Sequence, residues 1–264
     1  MARPLTMAID LGGTKIIACL FQSNGTAIQV CHLPTGHDFL HQLSILYRNF
    51  SDAHGWIETV SIGVPGPVAG NTMESSFPLN IREPIRFEAC FPGATKVVVE
   101  NDLFMALCAE LREGVGRQCE NFVLVSLSTG IGVGVVIDSR PLKIRCELGH
   151  QLIGYDQFSN DRPKAERWSD HCSGKAMEAR KTQNVEYLRV LRNINTVAFA
   201  NLILAYDPCR IVVMGGVAKN LWRDIVPDSN VIGEMLSRPV IAIAPTEIGS
   251  TIGVRGAFLY AQNI

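Results

Sequence analysis

Met7-Ala8-Ile9-Asp10-Leu11-Gly12-Gly13-Thr14-Lys15-Ile16-Ile17-Ala18-Cys19-Leu20-Phe21 is an apolar run that ends in an aspartate, turns through Gly-Gly-Thr-Lys and resumes as a second apolar run. The pattern predicts two strands joined by a turn whose glycines leave backbone N–H groups open to a phosphate. An ordinary Gly-Gly hairpin is the competing reading of the stretch taken alone. A second copy weighs against it. Leu124-Val125-Ser126-Leu127-Ser128-Thr129-Gly130-Ile131-Gly132-Val133-Gly134-Val135-Val136-Ile137 repeats the plan of strand, small and hydroxyl residues with glycine, then strand. One chain carrying this hairpin twice implies a duplicated fold with two phosphate-facing turns directed into one cleft.

Length and composition fit two modest lobes better than one core, at 264 residues with 47% apolar and 19% charged side chains. Lys and Arg number 24 against 25 Asp and Glu, a formal net charge of -1, so no polyanion is favoured and nucleic acid is not an expected partner. The apolar runs are short and broken by Gly, Pro or charge, and Met1 to Thr6 lacks the apolar stretch of a signal peptide. No membrane association and a cytoplasmic location are the expectation. The cysteines (Cys19, Cys31, Cys90, Cys108, Cys119, Cys146, Cys172, Cys209) lie far apart with no C-x-x-C pair, and read as buried thiols in a reducing compartment.

Along the chain, Asn24-Gly25 predicts a hairpin of Ile16 to Gln22 with Ala27 to His32. Phe39, Leu40, Leu43, Leu46, Tyr47 and Phe50 recur at helical spacing and precede a strand at Val60 to Val64. That strand runs into Val64-Pro65-Gly66-Pro67-Val68, whose prolines stiffen the backbone into either a ligand wall or a plain loop. Gly70 to Gly93 reads as loop and leads to a strand at Lys96 to Glu100, then Asn101-Asp102. A carboxylate at the carboxyl end of a buried strand stands where open α/β sheets bind ligands. The alternative is that Asn101 or Asp102 caps the helix of Leu103, Phe104, Leu107, Cys108 and Leu111; both readings hold if one residue caps and the other reacts.

After the second hairpin, Asp138-Ser139-Arg140-Pro141 turns the chain, and Glu147-Leu148-Gly149-His150 follows. Polar composition from Gly154 to Gln183 predicts loops and short helices. A long helix from Val185 to Tyr206 stops at Asp207-Pro208, and Ile211 to Met214 is a buried strand entering Gly215-Gly216. A strand at Val240 to Ala244 and a helix at Ile252 to Ala261 close the chain.

In these residues the sequence resembles the ROK family of sugar kinases, within the actin-like ATPase superfamily. The resemblance spans nearly the whole chain. It rests on Asp10-Leu11-Gly12-Gly13-Thr14-Lys15, Pro65-Gly66-Pro67-Val68, Asn80, Asn101-Asp102, Ser128-Thr129-Gly130-Ile131-Gly132, Glu147-Leu148-Gly149-His150, Ser173-Gly174 and Gly215-Gly216, in that order. It implies an α/β, two-lobed actin-like (ribonuclease H-like) fold with a duplicated mixed sheet and flanking helices. The lobes would be residues 1–116 and 117–248, with a last helix in 249–264 packing back on the first lobe and the lobes closing on the sugar.

The resemblance further implies transfer of the terminal phosphoryl group of ATP to a hexose hydroxyl, in a cytoplasmic homodimer. Such a transition state spreads negative charge and needs positioning, a cation, amide donors and a base. Asp102 corresponds to the family's catalytic base, and Asp10 to the residue that holds Mg²⁺, through water because magnesium dehydrates reluctantly. Amides around Gly12, Gly13, Thr14 and Lys15, and around Thr129 and Gly130, would cradle the phosphates; Gly215 and Gly216 would lie against the adenosine. Gly66, Asn80, Asn101, Glu147 and His150 correspond to sugar-contacting positions, with a buried structural histidine as the alternative for His150.

One departure is large. Family members follow the Glu-x-Gly-His segment with a zinc-binding cysteine cluster and a further sugar-binding glutamate. Here the region reads Asp161-Arg162-Pro163-Lys164-Ala165-Glu166-Arg167-Trp168-Ser169-Asp170-His171-Cys172-Ser173-Gly174. The cluster is missing, so no structural zinc is expected, and an odd site of Cys172, His150 and His171 matches no zinc spacing. Ser169 falls where the glutamate would stand, with Glu166 or Asp170 as substitutes. Zinc-less short members of the family include polyphosphate-using glucokinases, which opens the donor as well as the sugar, N-acetylmannosamine and N-acetylglucosamine included. A repressor of the same family would carry a DNA-binding domain ahead of the first motif, where only Met1 to Met7 stand. A sugar binder without catalysis would need neither Asp10 nor Asp102.

Overall fold

The computed structural model describes residues 4–143, 147–156, 164–181 and 184–262. The first part of the chain runs β1 (Leu5–Leu11), β2 (Lys15–Gln22), β3 (Ala27–Pro34), α1 (Phe39–His54) and β4 (Ile57–Val64). It continues through β5 (Val68–Ala69), β6 (Thr72–Met73), β7 (Ile85–Arg86), β8 (Lys96–Asn101) and α2 (Asp102–Glu113). Next come β9 (Phe122–Leu127), β10 (Ile131–Ile137), β11 (Arg140–Pro141), β12 (Leu152–Asp156), β13 (Lys164–Arg167), α3 (Ser169–Cys172), α4 (Gly174–Arg180) and α5 (Val185–Tyr206). Last are β14 (Arg210–Met214), α6 (Gly216–Ile225), α7 (Ser229–Leu236), β15 (Ala242–Pro245) and α8 (Ile252–Ala261). These elements divide into two compact units, one running to Ala109 and taking up again at Ser250, the other Glu110–Gly249.

The first unit is built on a mixed sheet of order β3-β2-β1-β4-β8. β1, β4 and β8 are parallel, and β2 is antiparallel to its neighbours β1 and β3. β1 and β2 are largely apolar, with Asp10 near the end of β1 and Lys15 and Gln22 at the ends of β2 among the exceptions, because both sheet faces are covered. Met7, Ile9, Leu11, Ile16, Ala18 and Leu20 meet the α1 residues Phe39, Leu43, Leu46, Tyr47 and Phe50 on one face. Ala8, Ile17, Cys19 and Phe21 meet Met105 of α2 and Val254, Ala257 and Phe258 of α8 on the other. Gly256 is needed there, since a Cβ would stand 1.7 Å from the Met105 carbonyl oxygen. The α1 stripe and the Asn24-Gly25 turn, with Gly25 at φ +83°, follow the sequence pattern closely.

The second unit repeats the plan strand for strand, in the order β11-β10-β9-β14-β15 with β9, β14 and β15 parallel and β10 antiparallel to β9. Val123, Val125 and Leu127 pack on Leu191, Ala198, Phe199, Leu202 and Ile203 of α5. Asp138 and Ser139, both at positive φ, make the tight β10–β11 turn.

Several expectations are corrected. Gly70 to Gly93 is not simply loop, because β6 and β7 lie there and complete a small antiparallel sheet with β5 just before it, in strands too short to leave a period in the sequence. In the polar stretch from Gly154 the chain forms the β12–β13 hairpin besides the short helices α3 and α4. The sequence reading names no helix at α6 or α7; α6 packs Val217, Ala218, Leu221, Trp222 and Ile225 on the core at helical spacing and is interrupted by non-helical torsions at Leu221. The cysteines are not uniformly buried thiols. Cys19, Cys90 and Cys172 are buried, while Cys31 and Cys108 are half-buried. Cys119 and Cys209 form a disulfide, because neighbouring parallel strands β9 and β14 begin just after them and bring their Cα atoms to 6.3 Å. Cys146 lies outside the described residues. Among those residues no helix is long and apolar enough to cross a membrane.

Candidate active site

In the first unit, the strand ends and turns converge. Gly12 N–H donates to the Lys15 carbonyl at 2.9 Å, and Thr35 fastens the same turn through its hydroxyl to Gly12 O (2.7 Å) and its N–H to Thr14 O (3.1 Å). Gly12 N is thereby used by the turn itself. The Gly13 and Thr14 amides take no backbone partner among the described residues. A Cβ on Gly13 would lie 2.7 Å from Pro78 Cβ, so glycine is what lets this turn abut the loop that ends at Asn80.

Asp10, one residue from the end of β1, faces Ile17 and Gly63 across the sheet. Burial raises its carboxyl from 3.8 to about 6, with the Lys15 charge pulling the other way. A carboxylate so poorly solvated gains from a cation beside it. It therefore fits the Mg²⁺ role, although among the described residues no group of three or more His, Cys, Asp or Glu side chains is placed to hold a metal.

The Pro65-Gly66 wall is tied on both sides. The Ser76 hydroxyl donates to Pro65 O at 2.7 Å, and Asn101 Nδ2 donates to Gly66 O at 3.2 Å. A Cβ on Gly66 would stand 2.1 Å from the Ser75 carbonyl oxygen. Ser76 and Ile81 bridge to each other, which leaves Asn80 exposed at a turn tip with φ +55°, a conformation asparagine tolerates. Gly66 and the loop that ends at Asn80 are thus tied to Asn101 at the end of β8, with Asp102 next in the chain.

The question of which residue caps α2 has a clear answer. Asn101 Oδ1 accepts from Phe104 N at 3.1 Å, the N-cap bond, while Asp102 Oδ1 accepts from Leu103 N at 2.8 Å. Asn101 therefore caps. Gly63 on the adjacent strand backs Asp102 closely, since a Cβ there would lie 3.1 Å from Asp102 Cα.

In the second unit, Ser128 N–H donates to Gly130 O (3.0 Å), and the turn's outer carbonyls receive Gly174 N at Ser128 O (2.8 Å) and Lys175 N at Thr129 O (3.1 Å). Sequence reasoning had Ser173-Gly174 only as part of the family series. Its role is to seat the start of α4 on this turn, and a Cβ on Gly174 would lie 2.8 Å from Ser128 O. Gly130 has open space around it. Gly215, at φ +104°, approaches so closely that a Cβ would stand 2.2 Å from Leu127 O, and it delivers the chain into α6 at Gly216. The segment Glu147 to His150 is pinned to the same region, because a Cβ on Gly149 would lie 2.0 Å from Ile131 O. Glu147 and His150 are exposed, so His150 is not a buried structural histidine.

Of the substitutes considered for the missing glutamate, Glu166 lies 3.7 Å from His171 Nε2 and Asp170 is exposed on α3. Ser169, read only as a departure, bonds His150 Nδ1 at 2.6 Å. Cys172 is fully buried, and desolvation pushes its thiol up to about 12.

The comparisons agree with this geometry. A glucokinase of Streptomyces coelicolor is 26% identical over 182 residues, 66% of this chain, which spans 57% of that protein's length. An N-acetyl-D-glucosamine kinase of Haemophilus influenzae is 23% identical over 94% of this chain and 96% of its own. A ROK family glucokinase from Streptomyces griseus, solved with glucose and AMPPNP, superposes with a TM-score of 0.78 at 23% identity over 98% of this chain and 100% of that one, which shows the actin-like ATPase fold. The ROK family profile matches residues 6–264: the chain belongs to the ROK family.

Proposed function

We propose that the chain is an ATP-dependent sugar kinase that transfers the terminal phosphoryl group of ATP to a hydroxyl of a hexose such as glucose, the 6-hydroxyl, with Asp102 as the base. The observation that carries this is the end of β8, where Asn101 Oδ1 takes the N-cap bond from Phe104 N and Asp102, whose Oδ1 accepts from Leu103 N, places a carboxylate at the first position of α2, at the carboxyl end of a buried strand. A carboxylate at that place is the kind of group that takes the proton of an attacking hydroxyl. Gly66, Asn80 and Asn101 in the first unit and Glu147 and His150 in the second supply donors and acceptors for the sugar's hydroxyls. The amides of Gly13, Thr14, Thr129 and Gly130 serve the phosphates, and Gly215 and Gly216 leave room for the nucleoside. Magnesium, when bound, would offset charge on the transferred group, with Asp10 holding it through water.

A second reading, an N-acetylated hexosamine as acceptor, is favoured by the near-complete coverage of the N-acetyl-D-glucosamine kinase against 57% of the glucokinase. Both readings use the same base. Asp102→Asn keeps the size of the side chain but cannot accept the proton, so the turnover number should fall roughly 10²–10⁴-fold while sugar affinity stays within about threefold. A variant turning over within about threefold of the parent would remove Asp102 from the mechanism.

A further inference from the structure

Both partners of the contact between Ser169 and His150 are held by independent anchors. Ser169 follows Trp168, which is fully buried, stacks edge-on against Phe199 at 5.8 Å, and donates its indole N–H to Asn195 Oδ1 at 2.6 Å. Asn195, itself fully buried, donates onward to Ile225 O at 2.8 Å, and Trp168 N–H donates to Gln151 O at 3.0 Å. On the other side, His150 N–H donates to Glu147 O at 2.8 Å, and Gly149 is wedged against Ile131 O. The 2.6 Å contact between Ser169 Oγ and His150 Nδ1 thus joins two segments that cannot slide apart easily.

The direction of that bond fixes the ring. Ser169 is 8% exposed, and among the described residues its hydroxyl has no other hydrogen-bond partner. Were it to accept from Nδ1–H, its own hydrogen would be left without an acceptor in a nearly closed position, which is costly. Donation from Oγ–H to Nδ1 uses that hydrogen. The ring proton then sits on Nε2, and the exposed His150 presents Nε2–H as a donor. A carboxylate at position 169 would accept from Nδ1–H and strip the neutral ring of that outward donor.

We propose that Ser169 is a positioning residue that sets the His150 tautomer, so that Nε2–H donates to an acceptor oxygen of the sugar. The proposal rests on the sugar-kinase reading above and adds to it the residue that decides what His150 offers the substrate. In ¹H–¹⁵N long-range correlation spectra of the ¹⁵N-labelled full chain, His150 of the parent shows Nε2 protonated and Nδ1 with the shift of a bare acceptor nitrogen. Ser169→Ala abolishes that bias, raises the sugar KM about tenfold and changes kcat less than threefold, as expected for one lost substrate hydrogen bond. Ser169→Thr, which keeps the hydroxyl, restores both readouts. A parent protein with Nδ1 protonated overturns the proposal, and so does a Ser169→Ala variant with unchanged KM. Absence of any sugar turnover by the parent defeats the sugar-kinase reading instead, and the tautomer remains readable without it.

Discussion

The two hairpin turns, Gly12 to Thr14 and Ser128 to Gly130, occupy the same place in sheets of the same strand order, yet one carries a carboxylate and the other does not. Asp10 is the penultimate residue of β1; the penultimate residue of β9 is Ser126, whose hydroxyl lies 3.4 Å from that of Ser128. The neighbouring strand ends differ in the same sense. β8 ends at Asn101-Asp102, which carry side-chain donors and acceptors, while β14 runs into Gly215-Gly216, where bare backbone comes close. A repeated sheet plan therefore supplies turn amides twice, and under the proposed function the differences at equivalent positions would give acid–base and cation chemistry to one copy and close backbone approach to the other.

The largest effect that breaks this asymmetry is Asp10→Asn, which should lower the rate at saturating Mg²⁺ and ATP by roughly 10²–10³-fold. Its second signature has the opposite sign. Because the folded carboxyl sits at about 6 against 3.8, the folded chain binds more protons than the unfolded one between those values, and this group's contribution to stability falls as pH rises through that window. Asp10→Asn should remove that loss, so the metal-free variant gains about 1–3 kcal/mol on the parent above pH 6 and little below pH 4. Denaturant melts at several pH values check both ends, and a gain that is independent of pH would refute the burial argument.

Gly215→Ala meets both a positive φ and a backbone oxygen, and should cost about 2–4 kcal/mol in thermal or urea unfolding. Asn101→Ala, losing the cap and the bond to Gly66 O, should cost about 1–2 kcal/mol. Gly130→Ala has nothing within 4 Å of the new methyl and no positive φ, so its stability should stay within about 0.5 kcal/mol. A loss at Gly130 equal to that at Gly215 would mean the two glycines are not distinguished by the space around them.

Much of this was legible in the residues. Two-faced burial makes β1, β2 and β9 predominantly apolar runs, and the stripe of α1 and the length of α5 leave unmistakable spacing, so the duplicated sheet follows from the pattern. The Asn101-Asp102 pair was legible as a site but not in its internal division, because asparagine and aspartate cap equally well and only the bond from Phe104 N separates them. Ser169 was hidden for another reason. Its partner is 19 residues away across a hairpin that local periodicity does not describe, and only the register of β12 with β13 brings them together. The same holds for Cys119 and Cys209, separated by 90 residues and joined by strand order alone.

Transfer of a phosphoryl group onto a sugar is read out most directly by ³¹P NMR of the purified protein incubated with Mg²⁺, ATP and each of glucose, N-acetylglucosamine and N-acetylmannosamine, with polyphosphate as an alternative donor. A sugar kinase should give a phosphomonoester resonance of a hexose phosphate growing in step with ADP for at least one sugar. Spectra in which no sugar acquires phosphate from either donor would contradict the sugar-kinase reading.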